Sequence, residues 1–232
     1  MVERRRQRHR GGGALSGPEI LEAIERHTDP LVVMPGLFDA ASLANANSLD
    51  LRLGHEFIAM RKAELSTLRL AGDRRETSRN LRRFYETTYV GFESEFVLHP
   101  GELVLGATLE YIKLPCDILA YILGRSSWGR LGLIIATATV IHPGYKGCPT
   151  LELANTGNIP IELFPGSPVP IAQLTLHGVG PGQSGYAGRY SERQWVGPTG
   201  PGYSRIHTDA IFERWAIYRS RRGRPPEPGA GG

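Results

Sequence analysis

Between Gly124 and Glu152 the chain reads GRSSWGRLGLIIATATVIHPGYKGCPTLE. Arg125, Ser126, Ser127 and Arg130 crowd two guanidinium groups and two hydroxyls into one short segment. Such donors so close together suit the oxygens of a polyphosphate, although a Ser-Ser pair is also ordinary turn chemistry. Downstream, Glu152 stands between Leu151 and Leu153. On a strand, alternation sends its carboxylate away from the face that the leucines occupy. A carboxylate beside a donor-rich turn suggests nucleotide chemistry; taken alone, Glu152 would equally be a solvated strand residue.

The elements that must hold these groups are short. Ser16 or Gly17 as N-cap, with Pro18 in the first turn and Ile20, Leu21 and Ile24 at helical spacing, predicts a helix ending near 27–29. Leu31–Met34 reads as a strand. Asn47–Leu53 alternates, with Leu49, Leu51 and Leu53 on one side and Asp50 and Arg52 on the other, and Glu56–Ala59 continues it. Strands are then expected at Tyr89–Phe92, Phe96–Leu98, Glu102–Tyr111, Ile118–Leu123, Leu133–Ala136, Thr150–Asn155, Ile161–Leu163 and Ile171–Leu176. Separators such as His99-Pro100-Gly101, Pro143-Gly144 and Phe164-Pro165-Gly166 break ladders or permit positive φ.

Regular short strands among 29 glycines and 17 prolines favour an all-β sandwich or jelly roll over a helical bundle. The hydrophobic share of 41% allows a real core. The expected organisation is a disordered basic tail over 1–16, a β domain over 17–178 with 61–83 as loop or insertion, a closing arm over 179–208, and a short helix with a disordered tail over 209–232. Most of the net charge of +4 comes from RRRQRHR near the start and RSRRGR near the end. Nucleic-acid binding by these tails is the minor reading, and solvated ends the major one.

Cys116 and Cys148 lack CxxC spacing, so neither a disulfide framework nor structural zinc is supported, and a cytoplasmic setting is the default. No apolar run approaches the ~18 residues that span a bilayer. A charged N-terminus with no apolar stretch behind it does not read as a secretory signal.

The ordered series Asn47 to Gly54, Pro100-Gly101-Glu102, Leu105 to Thr108, Gly124 to Gly132, Thr137-Ala138, Pro143-Gly144-Tyr145, Gly147, Leu151-Glu152, Asn155 and Pro165-Gly166 resembles the dCTP deaminase family of the dUTPase-like superfamily. Arg189-Tyr190, Gly197-Pro198-Thr199 and Ser204-Arg205 resemble its C-terminal closing segment, in a stretched register. The resemblance implies a distorted jelly-roll or β-barrel subunit, a homotrimer with active sites at subunit interfaces, dCTP as substrate, and Mg²⁺ carried on the triphosphate.

By the same resemblance Glu152 is the catalytic glutamate, moving a proton from water to the leaving amine, with desolvation raising its pKa toward the working range. Arg130 lies across the site from it and either positions the water or the glutamate or contacts phosphate from a neighbouring subunit. Ser126 lies near the reacting base, and Ser127 and Arg125 hold phosphate oxygens. Ala138 corresponds to the position whose backbone reads the pyrimidine edge, with a core alanine as the competing view. Tyr145 matches an aromatic of the sugar pocket or else is core packing. Arg189, Tyr190, Arg193 and Gln194 could reach the phosphates and the base. The HxE and PCxxC pattern of zinc deaminases is missing, so no zinc is expected. His142 departs from the family, which has Asp before this turn. An imidazole replaces that carboxylate poorly in orienting a water against the phosphate chain, so diphosphatase activity is not expected. The reading is therefore a deaminase converting dCTP to dUTP and ammonia. The alternatives are a bifunctional or dUTPase-like diphosphatase and a non-catalytic pyrimidine-nucleotide sensor.

Overall fold

The computed structural model describes residues 13–36, 40–43, 45–60, 85–92, 94–136 and 140–179. The expected insertion, nearly all of the arm and the terminal helix lie outside the described residues. The chain divides into two compact units, Met1–Ile58 with Thr87–Gly200, and Ala59–Glu86 with Pro201–Gly232. The second is represented among the described residues by Ala59, Met60, Tyr85 and Glu86 alone.

Helix α1 (Gly17–Glu25) starts where the sequence places it. The Glu19 carboxylate accepts the Ser16 backbone N–H at 2.8 Å and the Ser16 hydroxyl at 2.7 Å, which ties the first turn to its cap. Ile20 and Ala23 point into the core. The ordered chain begins before residue 17. Ala14 bridges His177, the Leu15 N–H donates to the Leu176 carbonyl, and Leu15 is buried, so Ala14–Ser16 belong to the β domain rather than to the tail.

The first strands are β1 (Val32–Met34), β2 (Leu49–Leu51), β3 (Glu56–Met60), β4 (Tyr85–Tyr89), β5 (Phe96–Leu98), β6 (Leu103–Ala107), β7 (Tyr111–Lys113) and β8 (Ile118–Gly124). A one-turn helix α2 (Ala40–Leu43) lies between β1 and β2, and α3 (Ser126–Arg130) follows β8. The remaining strands are β9 (Leu133–Ile135), β10 (Val140–Ile141), β11 (Lys146–Gly147), β12 (Thr150–Asn155), β13 (Ile161–Leu163) and β14 (Ala172–Gly178). The all-β expectation holds for the described residues, and several boundaries move. The expected Glu102–Tyr111 strand splits into β6 and β7, and the segment expected at Tyr89–Phe92 forms earlier, as β4.

One sheet has the order β10-β8-β14-β2 and another β4-β3-β6-β12-β9, with two smaller sheets, β1-β7-β11 and β13-β5. Among the described residues none of these closes on itself. Alternation builds the core: Leu49 and Leu51 of β2, Ile118, Ala120 and Ile122 of β8, Leu151 and Leu153 of β12, and Leu174 and Leu176 of β14 are buried. Each fully buried leucine contributes roughly 1.5–3 kcal/mol. Gly106 of β6 is small for a reason. A Cβ there would meet Leu53, Leu153 and Phe57 side chains at 3.2–3.7 Å, so these three side chains pack directly over the glycine.

Candidate active site

Glu152 lies in mid-β12, opposite Leu105 of β6, and its carbonyl accepts the Ala136 N–H at 2.8 Å just beyond β9. Leu151 and Leu153 face the core, and Glu152 projects from the other side of the sheet, half-buried. Burial raises its carboxyl above the usual carboxylate range, because removing water disfavours the charged form. On the same outer face Leu103, Ala154 and Ile134 form a row across β6, β12 and β9. Leu103 is 44% and Ile134 43% exposed. Glu152 thus sits within an apolar, accessible patch.

The donor-rich segment is anchored by backbone chemistry. The expected Gly-Arg-Ser-Ser turn is in fact a single helical turn, α3, with Arg125 at its N-cap. The Trp128 indole N–H donates to the Pro170 carbonyl at 3.0 Å and the ring lines a small apolar recess with Leu53, Leu163 and Ile171. After α3, Gly132 has φ +94°, and a Cβ there would collide with the Gly157 backbone at 2.6 Å. Only glycine fits such a contact in that conformation. The Gly132 carbonyl accepts the Thr156 N–H at 2.8 Å and its hydroxyl at 3.0 Å. Asn155 completes the clamp: its amide donates to the Leu98 and Ile159 carbonyls, and its Oδ1 accepts the Gly157 N–H. The far end of β12 and the exit of α3 are therefore one rigid joint.

Ser126, Ser127 and Arg130 are exposed, and Arg125 is half-buried. The Arg125 guanidinium donates to the Asp50 carboxylate of β2. Ile135 pairs with Leu153, and a Cβ on Gly124 would lie 3.8 Å from Ile135. The 124–130 segment thus enters from the Leu153 side of β9 and β12, while Glu152 points to the opposite side. His142 is exposed at the turn after β10, where its carbonyl accepts the Tyr145 N–H at 3.2 Å, and Tyr145 is half-buried. Ala138, Arg189, Tyr190 and Gln194 lie outside the described residues. Among the described residues no group of three His, Cys, Asp or Glu side chains converges as a metal site, and no helix is long and apolar enough to cross a membrane.

The sequence reading missed three charged groups. Glu110, fully buried, accepts the Arg52 Nε–H and the Arg52 backbone N–H, each at 2.8 Å. Burial still pushes its carboxyl up, against the opposing effect of Arg52; the nearby Cys148 thiol is raised to about 11 by its own burial and, second, by the charge of Glu110. Glu56 is 7% exposed; its Oε1 accepts the Tyr89 hydroxyl at 3.3 Å, while its Oε2 has no partner among the described residues. Burial lifts this carboxyl to about 7. Asp50 is the third. The alternation Leu49 to Leu53, with Asp50 and Arg52 between leucines, was the available signal for two of these contacts.

The family model described as dCTP deaminase-like matches residues 14–179. That span starts at the Ala14 bridge to β14 and ends at Val179, just beyond it. A dCTP deaminase of Natronomonas pharaonis is 41% identical over 71% of this chain and 82% of its own length. That of Haloarcula marismortui is 37% identical over 85% of this chain and 97% of its own. A dUMP-forming dCTP deaminase of Nanoarchaeum equitans is 37% identical over 74% and 87%. The crystal structure of the 2'-deoxycytidine 5'-triphosphate deaminase from Agrobacterium tumefaciens superimposes with a TM-score of 0.52 at 26% identity, over 73% of this chain and 50% of that one. With β12, α3 and their glycine joint all inside the matched span, the chain belongs to the dCTP deaminase-like family.

Proposed function

We propose that this protein converts dCTP and water to dUTP and ammonia, with Glu152 as the proton carrier. The observation that carries the reading is Glu152 itself. It is a half-buried carboxylate whose proton affinity is raised by burial, in mid-strand, inside the span shared with named dCTP deaminases. Glu152 takes a proton from water as the oxygen attacks C4 of the pyrimidine, then delivers a proton to the exocyclic nitrogen, which leaves as ammonia. Ser126 and Arg130 orient the water and the base. Arg125 and Ser127 hold the triphosphate, which brings its own Mg²⁺. The arm residues Arg189, Tyr190 and Gln194 close over the ligand, Ala138 reads the pyrimidine edge, and Tyr145 lies against the sugar. A substrate from the nucleotide pool goes with a cytoplasmic setting.

The site is completed by a second copy of the chain. Glu152 and the entry to α3 lie on opposite sides of the β9–β12 pair, and apolar Leu103 and Ile134 stand exposed around Glu152. A homotrimer with interfacial sites satisfies both observations. Sedimentation equilibrium should give three times the chain mass of 25.5 kDa; a monomer that is fully active would remove the interfacial site.

A diphosphatase reading has one point in its favour, the similarity to a dUMP-forming relative. The histidine at 142, an imidazole at an exposed turn, counts against it. Chromatography of products from dCTP, CTP, dCMP and dUTP with Mg²⁺ separates the readings: dUTP and ammonia from dCTP are expected, without pyrophosphate. Glu152→Gln should keep nucleotide binding and lose ammonia release; undiminished turnover in that variant eliminates its role.

A further inference from the structure

We propose that Asp50 is a positioning residue of the triphosphate subsite, aiming the Arg125 guanidinium through their ion pair; this rests on the phosphate role given to Arg125 above. Asp50 and Leu123 both lie opposite Gln173 of β14, on either side of it. They share the outward face of the sheet. Arg125 follows Leu123 by two residues and reaches back over β14 to Asp50. Two strand spacings are about 10 Å, a span that an extended arginine and an aspartate can bridge together.

The pair is no stabilising clasp. Its side chains are 30% and 43% exposed, and pairs in such solvent contact add little to stability. What it changes is the arginine's freedom. A free guanidinium on a flexible stem samples many rotamers and must be ordered when a ligand arrives. Asp50 is contacted by one Nη of Arg125. A guanidinium has five N–H donors in a fixed fork, so the others keep a set direction for bidentate contact with a phosphate. The carboxylate has a competing effect, since it offsets positive charge that a phosphate would meet. The two effects change affinity in opposite directions, so one substitution decides between them.

The test is Asp50→Asn in the full chain, with Asp50→Glu as the charge-retaining control. The expected result is a KM for dCTP raised ~3–10-fold, the scale of ordering one long side chain, with kcat within about twofold. Asp50→Glu should recover most of the loss. Calorimetric affinity for tripolyphosphate should weaken by the same factor, and in an Arg125→Lys background Asp50→Asn should add nothing further. An unchanged or lowered KM and tripolyphosphate Kd in Asp50→Asn would overturn the proposal, because Asp50 would then only compete with phosphate. A fall in kcat with KM unchanged would overturn it as well. Tripolyphosphate binding requires no turnover, so a wild type that releases no ammonia from dCTP defeats the deaminase reading while this comparison still returns an answer.

Discussion

Glu110 and Glu152 are both strand-borne or strand-flanking carboxylates raised by burial, yet the molecule uses them differently. Glu110 is sealed in the core and gripped by two donors of one arginine. Its charge is spent on fixing the turn between β6 and β7 to the end of β2. Glu152 lies in mid-strand, with one side of its strand built into the core and the other facing an apolar patch. Desolvation of a clasped carboxylate makes structure. Desolvation of a carboxylate on an accessible face makes a group that binds its proton more tightly than a free carboxylate and can still exchange it. Glu56 is intermediate: buried like Glu110, but among the described residues it has the Tyr89 hydroxyl on one oxygen and no partner on the other.

The largest expected effect is on chemistry at Glu152. Glu152→Gln should lower kcat for ammonia release by ~10²–10⁴-fold, the range of a positioned proton carrier, with the thermal midpoint nearly unmoved. In the wild type, kcat should rise as pH climbs through the raised pKa of this group, since the base form starts the reaction. A pH–rate profile with no acid limb would break the contrast with Glu110.

Glu110→Ala should do the reverse, leaving chemistry to fail only through folding. Breaking one side of a buried pair costs about 3–5 kcal/mol, which is roughly 6–20 °C in midpoint for a chain of this size. Replacing both partners, Arg52→Met with Glu110→Leu, should recover most of the loss, because the uncompensated charge goes with the pair. Thermal unfolding measures both; a single variant as stable as wild type would show that the clasp is not structural.

Glu56 gives the smallest effect, visible as a pH slope. Its folded pKa of about 7 is above the ordinary glutamate value of 4.5. The native state therefore holds a proton that the unfolded state has released, and stability falls as pH rises through this window. The wild-type midpoint should drop between pH 5 and 8, and Glu56→Gln should flatten the slope. Equal slopes in both proteins would place Glu56 with the ordinary surface carboxylates.

Where contacts are local, the structure was legible in the residues. Ser16, Pro18 and Glu19 mark the start of α1 because a cap is satisfied within one turn. Leu151-Glu152-Leu153 marks β12 and the outward carboxylate because a strand has a period of two. The α3 turn was read as a turn, since GRSSWGR has no apolar helical stripe and what holds it is the Trp128 bond to Pro170, 42 residues away. The β6–β7 break was hidden in a continuous run of strand-forming residues. It exists because Glu110 must reach Arg52, and the Thr108 hydroxyl caps that bend on the Glu110 carbonyl at 2.8 Å.

The all-β class, the family and the proton-carrying candidate were readable from the residue order, because alternation, turn residues and an ordered motif are properties of neighbours along the chain. Folding was needed to pair the charges on and just after β2: Asp50 with Arg125 across 75 residues and Arg52 with Glu110 across 58. Folding also puts Glu152 and the entry to α3 on opposite sides of one strand pair. Those outcomes depend on which strands lie side by side, and strand order is set by packing the whole core, a quantity that no local window contains.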